Sequence, residues 1–234
     1  MEALVLSVNE PQLEGCLESL KNQTIPFTNI IHINGVCPQS EAYNRGIDLI
    51  KEDWFALLDG DMTLYPDAVK AAMECINNGR GKIYSYSFRL YDYFLKTPIV
   101  GVSFCYSPAY KGKVMDNHLF NDRLLGDKIK GEGWKRVIEK SLVGTHFDSP
   151  TEFQIFSRFY TSGVKYRYLL RPALEDLFDK TGSPMYSLAI KSLDFSGING
   201  GRRSYRSSHN VELDKAIFEK FKNYYQGKFV VGGL

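Results

Sequence analysis

The sequence predicts an α/β fold: a Rossmann-like mixed, mainly parallel sheet flanked by helices, with a mostly helical C-terminal extension. Short apolar runs at residues 3–8, 29–33 and 54–58 are rich in Val, Leu and Ile, as in strands buried on both faces. Amphipathic helical patterns at 13–20 and 40–50 separate these runs. Strands that alternate with helices in this way are joined by right-handed crossovers and lie parallel to one another.

The hydrophobic patterns after residue 66 predict the remaining helices and strands and the domain boundaries. We expect one α/β domain at residues 1–150, with halves at 1–80 and 81–150, and a C-terminal extension at 151–234. A Gly-, Ser- and Arg-rich stretch at 196–210 is typical of a mobile loop. The further predicted elements are a helix at 67–77, strands at 82–90 and 97–106, a helix at 122–130, a strand at 134–147 with a turn near Glu139 and Lys140, a helix with a capping box of Ser149 and Glu152, and a helix at 211–225.

The composition is that of an ordinary globular chain. It has 234 residues, of which 44% are hydrophobic and 24% charged, enough to bury a core. The net charge is only +2. Proteins that bind nucleic acids usually have a clustered basic face, so no nucleic-acid partner is expected. The sequence contains no secretory signal and no apolar stretch long enough for a transmembrane helix, which predicts a cytoplasmic protein.

The cysteines and the aromatic residues indicate whether the chain has a zinc site or a membrane-facing surface. Cys16, Cys37, Cys75 and Cys105 are too widely spaced for a zinc site, and buried free thiols are the expected state. The chain has 15 Tyr and 15 Phe, most of them expected in the core. A surplus of aromatic residues also occurs on sugar-stacking and on membrane-facing surfaces, so peripheral contact with the inner face of a membrane through the C-terminal region stays open.

Polar residues follow each of the first three strands. Ser7, Asn9 and Glu10 follow the first strand, Asn34 the second, and the sequence Asp59-Gly60-Asp61 ("DGD") the third. Ligands of such sheets bind beyond the carboxyl ends of the strands. Two neighbouring carboxylates repel each other, and hard oxygen ligands suit Mg²⁺ or Mn²⁺, so a cation is expected at Asp61.

Each of these candidates has a simpler interpretation. The two aspartates occur in many surface turns, and Asn9 and Glu10 are placed where they could cap the first helix. Arg45 is either a phosphate or base contact or an ordinary surface arginine. Neither a P-loop nor a G-x-G-x-x-G motif is present, which excludes the phosphate-binding modes of P-loop ATPases and of Rossmann dehydrogenases.

Four motifs in order, "NEP", "CLESLKNQT", "AYNRGI" and "LLDGDM", give the first 75 residues a specific resemblance. They resemble the nucleotide-binding half of family-2-type glycosyltransferases, which have the GT-A fold. The resemblance continues more faintly to about residue 147, through "NDRLLGDKIKGEGWKRVIEKSLVGTH". It implies that residues 1–80 bind the nucleotide and that residues 81–150 form the acceptor and catalytic half.

The resemblance also implies roles. Asp122 takes the position of the catalytic base, although this chain has Asn121-Asp122 where the family usually has Glu-Asp. His146 takes the position of a terminal histidine and is a candidate ligand of Mn²⁺ or Mg²⁺ together with Asp61. The implied activity is inverting transfer of a sugar from a nucleotide diphosphate sugar to a glycan or lipid-linked acceptor, as in bacterial-type polysaccharide or glycoconjugate synthesis. The implied nucleotide-sugar contacts are Ser7, Asn9, Glu10, Asn34, Arg45, Asp59 and Gly60.

Several alternatives remain open at this point. Glu152 and Asp148 are weaker candidates for the catalytic base, and the arginines of "GGRRSYR" (200–206) belong either to a lid over the diphosphate or to a solvated loop. The protein could instead be a nucleotide-sugar-binding protein without catalysis. A nucleotidyltransferase is disfavoured because its glycine- and arginine-rich first loop is absent from "SVNEPQLEG".

Overall fold

A computed structural model of the chain describes residues 1–118, 121–198 and 211–229. It divides into two compact units, Met1–Ser149 and Pro150–Leu234. In the first unit the elements are β1 (Glu2–Ser7), α1 (Leu13–Lys21), β2 (Ile30–Asn34), α2 (Gln39–Leu49), β3 (Trp54–Asp59), β4 (Met62–Leu64), α3 (Ala68–Asn78), β5 (Ile83–Asp92), β6 (Thr97–Tyr106), α4 (Ser107–Tyr110), α5 (Asn121–Gly131) and β7 (Lys135–His146).

The seven strands form one mixed sheet in the order β2-β1-β3-β6-β5-β7-β4. Strand β1 pairs parallel with β2 and β3, and β5 pairs parallel with β7. Antiparallel pairs join β3 to β6, β6 to β5 and β7 to β4. This mixed sheet, flanked by helices, confirms the predicted fold class.

Helices cover both faces of the sheet, which explains why β1 is apolar throughout. Ala3 and Val5 point into a core layer with residues of α1 and α3, whereas Leu4 and Leu6 point into a second layer with residues of α2 and α5. All four side chains are buried. Alternate residues of one strand therefore fill opposite layers, and a continuous apolar run results.

The sheet curls strongly, because β3 and β4 are far apart in the strand order but close in the chain. Only Gly60 and Asp61 connect Asp59 to Met62, so the Cα atoms of Asp59 and Met62 are at most about 11 Å apart. Four strand spacings separate β3 from β4 in the order, which in a flat sheet would be about 19 Å. The curl brings the end of β3 next to β7 and β4.

One local prediction in the first unit was wrong, and one short strand was missed. The turn expected near Glu139 and Lys140 is an irregularity inside a continuous strand, since the β5–β7 register passes from Ser87↔Ile138 to Arg89↔Leu142. Extra residues in one strand bulge without reversing the chain, because pairing with β5 resumes beyond them. Strand β4 was not predicted, since three residues are too few to show a periodicity.

The described residues of the second unit form the helices α6 (Glu152–Thr181), α7 (Pro184–Ile198) and α8 (Val211–Phe229). Phe156, Phe195 and Phe221 form the centre of its aromatic core. The helical character predicted for the C-terminal extension is confirmed. Within the described residues, no helix combines the length and the apolar character that a membrane span requires.

The start of α6 differs from the prediction. Thr151, not Ser149, is the N-cap, and Gln154 completes the capping box in place of Glu152. Ser149 has a positive φ of 49°, unlike the extended conformation of an N-cap residue. Of the loop predicted at 196–210, the first three residues belong to α7, and 199–210 lie outside the described residues.

Two helical glycines make a matched test of packing between α2 and β1. A Cβ at Gly46 would lie 2.5 Å from Leu4 Cδ1, whereas a Cβ at Gly15, inside α1, would meet nothing within 4 Å. We expect Gly46→Ala to lower the free energy of unfolding by about 1–3 kcal/mol through overpacking. Gly15→Ala should raise it by up to about 1 kcal/mol through helix propensity. Urea unfolding of both variants measures this, and a stabilising Gly46→Ala would contradict the close packing.

Candidate functional site

The loops that follow β1, β2 and β3 meet at one edge of the sheet. Because β1 lies between its two parallel neighbours, Ser7 pairs with Asn34 and Leu6 pairs with Asp59. Two backbone hydrogen bonds continue the pattern beyond the strands, from Gly35 N to Ser7 O and from Gly60 N to Leu6 O, both 2.9 Å. Sequence reasoning correctly predicted that these three strand ends lie together.

A chain of polar side chains runs along this donor edge, which we define as Ser7, Asn9, Glu10, Asn34 and the DGD turn. Ser7 Oγ donates to Asn34 Oδ1 at 2.8 Å, and Asn34 Nδ2 donates to Asn9 Oδ1 at 2.7 Å. At the inner end, Ser7 Oγ lies 2.6 Å from His32 Nε2. Asn9 is exposed and has a φ of 62°. The network thus fixes the orientation of two amides at the surface.

Glu10 holds the first loop against the DGD turn. Its Oε2 accepts a hydrogen bond from Val8 N at 2.9 Å. A Cβ at Gly60 would lie only 2.7 Å from that oxygen and 2.9 Å from Ser7 Cβ, so the glycine allows this approach. The N-cap position of α1 belongs to Gln12, which makes no side-chain cap bond, so Asn9 and Glu10 are not the N-cap of this helix.

The donor edge concentrates negative charge. Burial raises the pKa of the Cys16 thiol to about 12, and the negative charges of Asp61, Asp59 and Glu10 contribute to this increase. Cys16 Sγ lies 3.8 Å from Asp59 O. Three carboxylates close enough to act on one thiol repel each other, and a bound cation would offset that repulsion.

Asp61 faces His146 across the end of the sheet. The antiparallel β4–β7 ladder pairs Met62 with His146, and Phe147 N donates to Asp61 O at 3.1 Å. His146 Nε2 lies 3.5 Å from Asp61 Oδ2, and His146 Nδ1 lies 2.8 Å from Asp92 Oδ2. The ring of His146 therefore bridges two carboxylates, one of them fully buried.

This arrangement fits a divalent cation that is also bound by phosphate. Asp61 Oδ1 is buried and has no hydrogen-bond partner, so it is available as an oxygen ligand. In the described part of the chain, no group of three His, Cys, Asp or Glu residues is placed to hold a metal ion. Mg²⁺ is commonly held by one or two carboxylates together with substrate phosphates, so two protein ligands suffice if a diphosphate supplies others.

Two predicted residues have no recorded contact with this edge. Arg45 forms an ion pair with Glu41 on the surface of α2, and its side chain is 59% exposed. That pairing favours an ordinary surface arginine. Asp122 is exposed in the first turn of α5, where its backbone N donates to Asn121 Oδ1 at 2.7 Å. Its role stays a prediction, and residues 119 and 120 just before it lie outside the description.

Sequence reasoning missed two residues, one beside His146 and one on α2. Asp92 was missed because the predicted strand stopped at residue 90, although a carboxylate at the end of β5 follows the pattern of the other strand ends. Asn44, in the motif "AYNRGI", donates to Met115 O and accepts from Met115 N, at 3.1 and 2.9 Å. It thereby ties α2 to the segment that leads toward α5.

A scan against protein-family models gave no match, and a comparison with curated protein sequences gave none. Solved structures do match. The mannosyltransferase PcManGT from Pyrobaculum calidifontis, in complex with GDP-Man and Mn²⁺, is 10% identical, with a TM-score of 0.54 over 95% of this chain and 80% of that chain.

Two further structures give lower scores. Glucosyl-3-phosphoglycerate synthase from Mycobacterium tuberculosis, with Mn²⁺ and UDP-Glc, is 15% identical with a TM-score of 0.48 over 68% of this chain and 75% of that chain. TarS from S. aureus is 10% identical with a TM-score of 0.49, over 70% of this chain and 39% of that chain. The likeness to the mannosyltransferase concerns the fold, and it confirms the predicted GT-A type.

Proposed function

We propose that this protein is a metal-dependent, inverting glycosyltransferase that uses a nucleotide diphosphate sugar. The observation that carries the proposal is the buried, unbonded Oδ1 of Asp61, opposite His146 and beside a polar edge at three strand ends. A cation site and a nucleotide site next to each other are what a diphosphate donor needs. The GDP-Man and Mn²⁺ in the mannosyltransferase of similar fold support this choice.

The donor edge supplies the contacts for the nucleoside. The fixed amides of Asn9 and Asn34 offer hydrogen bonds to a base or ribose, and Ser7 holds Asn34 in position. Glu10 and Asp59 lie beside them, where a carboxylate can accept from ribose hydroxyls or from water on a metal. Gly60 allows Glu10 and Ser7 to approach the DGD turn closely, which keeps these contacts beside Asp59 and Asp61.

Asp61 and His146 are the residues that would hold Mn²⁺ or Mg²⁺. When bound, the cation neutralises the diphosphate and stabilises it as a leaving group. His146 must present an unprotonated Nε2 to serve as a ligand, so binding of the cation releases any proton held there. The carboxylates around Cys16 make the edge attractive to cations before the donor arrives.

The acceptor hydroxyl needs a base on the face opposite the leaving diphosphate, hence a carboxylate other than Asp61. We propose Asp122 for this role. Glu152 becomes a stronger rival than the sequence indicated, since Gln154 and not Glu152 completes the capping box. Asp148 is a third candidate, and its Oδ1 accepts from Ser149 Oγ at 3.1 Å.

A second candidate function is nucleotide-sugar binding without catalysis. The exposure of Asp122 favours it, because a base that abstracts a proton is usually held near the reacting atoms. The two functions differ in turnover and share donor binding. A glycan or lipid-linked acceptor, a role in bacterial-type polysaccharide synthesis, a cytoplasmic location and peripheral contact with a membrane all remain predictions.

Melting temperature with UDP, GDP or dTDP tests the metal and nucleotide site. A ligand that binds only the folded chain raises the melting temperature, so one of these diphosphates with Mn²⁺ should give a shift that EDTA removes. Asp61→Asn should lose the metal-dependent shift and keep its fold. Asp67→Asn, which removes a charge at the start of α3, is the matched control. An unchanged shift in Asp61→Asn would contradict the metal role of this residue.

Ser7→Ala tests the nucleoside contacts separately. Loss of the hydroxyl frees Asn34, so affinity for the bound nucleoside diphosphate should fall by roughly 2- to 10-fold, the worth of one hydrogen bond. The dependence on Mn²⁺ should remain. Ser103→Ala removes a similar hydroxyl contact, 2.8 Å from Ser87 Oγ within the sheet, and should leave affinity unchanged. Titration calorimetry measures the affinity of both variants. Equal losses of affinity in Ser7→Ala and Ser103→Ala would contradict a specific role of Ser7 at the nucleoside.

Turnover distinguishes the two functions and identifies the base. Asp122→Asn should lower sugar transfer, or slow hydrolysis of the donor, by roughly 10²- to 10⁴-fold while donor affinity is kept. Glu152→Gln should remain active. Inactive Glu152→Gln with active Asp122→Asn would move the base to α6. Wild-type protein that binds donor and Mn²⁺ but never turns over with a broad acceptor panel would favour the binding protein.

A further inference from the structure

We propose that Asp92 is a positioning residue that fixes the tautomer of His146 and so prepares its Nε2 to bind the cation. Asp92 ends β5, and neither its position nor its type was suggested by the motifs of the sequence. The inference rests on the proposed metal-dependent function and deepens it, because it explains how one of the two protein ligands is oriented.

Asp92 is a fully buried carboxylate with a hydrogen bond at each oxygen. Its side chain is 0% exposed. Oδ1 accepts from Leu95 N at 2.7 Å, and Oδ2 lies 2.8 Å from His146 Nδ1. A buried carboxylate is costly to keep unless it is paired and hydrogen-bonded. The two contacts together define the orientation of this carboxylate and, through it, the orientation of the imidazole.

The backbone fixes His146 from both sides. Asp92 and His146 are register partners in the parallel β5–β7 pair, and Met62 is the partner of His146 in β4. Tyr93 N also donates to His146 O at 3.1 Å, and the imidazole stacks on Phe147 with a centroid separation of 5.6 Å. The ring therefore stays between Asp92 and Asp61.

Chemistry then determines which nitrogen holds the proton. An ionised carboxylate can only accept a hydrogen bond, so Nδ1 must carry the proton toward Asp92. In the neutral ring Nε2 then has a lone pair, which faces Asp61 Oδ2 at 3.5 Å. Two electron-rich atoms at this distance need a proton or a cation between them. The Asp92 charge also makes Nε2 a more basic ligand, as carboxylates do behind metal-binding histidines.

Asp92→Asn tests the inference sharply, because Leu95 dictates how the new amide points. Leu95 N can only donate, so the amide oxygen must stay on its side and the NH₂ group must face His146 Nδ1. The imidazole would then accept at Nδ1 and carry its proton on Nε2, toward Asp61. We expect Mn²⁺ affinity in the presence of UDP, measured by electron paramagnetic resonance of the free ion, to fall by roughly 10- to 100-fold.

Controls separate tautomer from stability. Nitrogen-15 NMR of labelled histidine at pH 8 should show the Nδ1–H tautomer of His146 in the wild type and the Nε2–H tautomer in Asp92→Asn. Asp67→Asn should change neither. In a His146→Ala background, Asp92→Asn should have no further effect on Mn²⁺ affinity, because the effect acts through the ring.

The outcomes are distinguishable. Wild type that binds no Mn²⁺ with UDP, GDP or dTDP would overturn the proposed function itself. Wild type that binds Mn²⁺ while Asp92→Asn binds it equally well would overturn only the role of Asp92. An Nε2–H tautomer in the wild type would also overturn it, and that measurement needs no variant to fold.

Discussion

The two-residue connection between β3 and β4 is the constraint on which the site depends. It forces the sheet to curl, because Gly60 and Asp61 cannot span the width of a flat sheet. The pairing of β4 with β7 then fixes Met62 beside His146. As a result, a carboxylate from the first half of the unit and an imidazole from its last strand face each other, although neither is near the other in sequence.

Charge and packing oppose each other at this edge. The negative charges of Glu10, Asp59 and Asp61 all act on the Cys16 thiol and therefore lie close together, and Asp61 Oδ1 is buried without a hydrogen-bond partner. A buried polar group without a hydrogen-bond partner costs stability, and proteins keep local conflicts of this kind mainly at functional sites. The rest of the sheet supplies the compensation through two apolar layers that bury both faces of β1 and β3.

The sequence predicted those parts of the fold that depend on the residue pattern within a single segment. The apolar runs of β1 and β3 and the polar residues after them follow from burial on both faces and from parallel order, so the donor edge could be predicted. Asp92 could not be assigned, because its partner His146 is distant in sequence and only the β5–β7 register brings them together. The bulge in β7 and the three-residue strand β4 likewise depend on pairing, which leaves little trace in local periodicity. Arg45 shows another limit: its place on α2 did not reveal that Glu41, one turn away, pairs with it, and its contact with a nucleotide stays a prediction.

The buried thiol of Cys16 offers a way to measure how often α1 separates from the sheet. Because burial and the nearby carboxylates raise the pKa of this thiol to about 12, it stays protonated at neutral pH, and the folded protein resists alkylation and oxidation there. Once α1 lifts from the sheet, the thiol leaves both its burial and its acidic neighbours and regains ordinary reactivity. Labelling at Cys16 therefore counts local unfolding events under native conditions, in the way that amide exchange does. The protein thus carries its own reporter of local unfolding beside the carboxylates, and no probe has to be introduced.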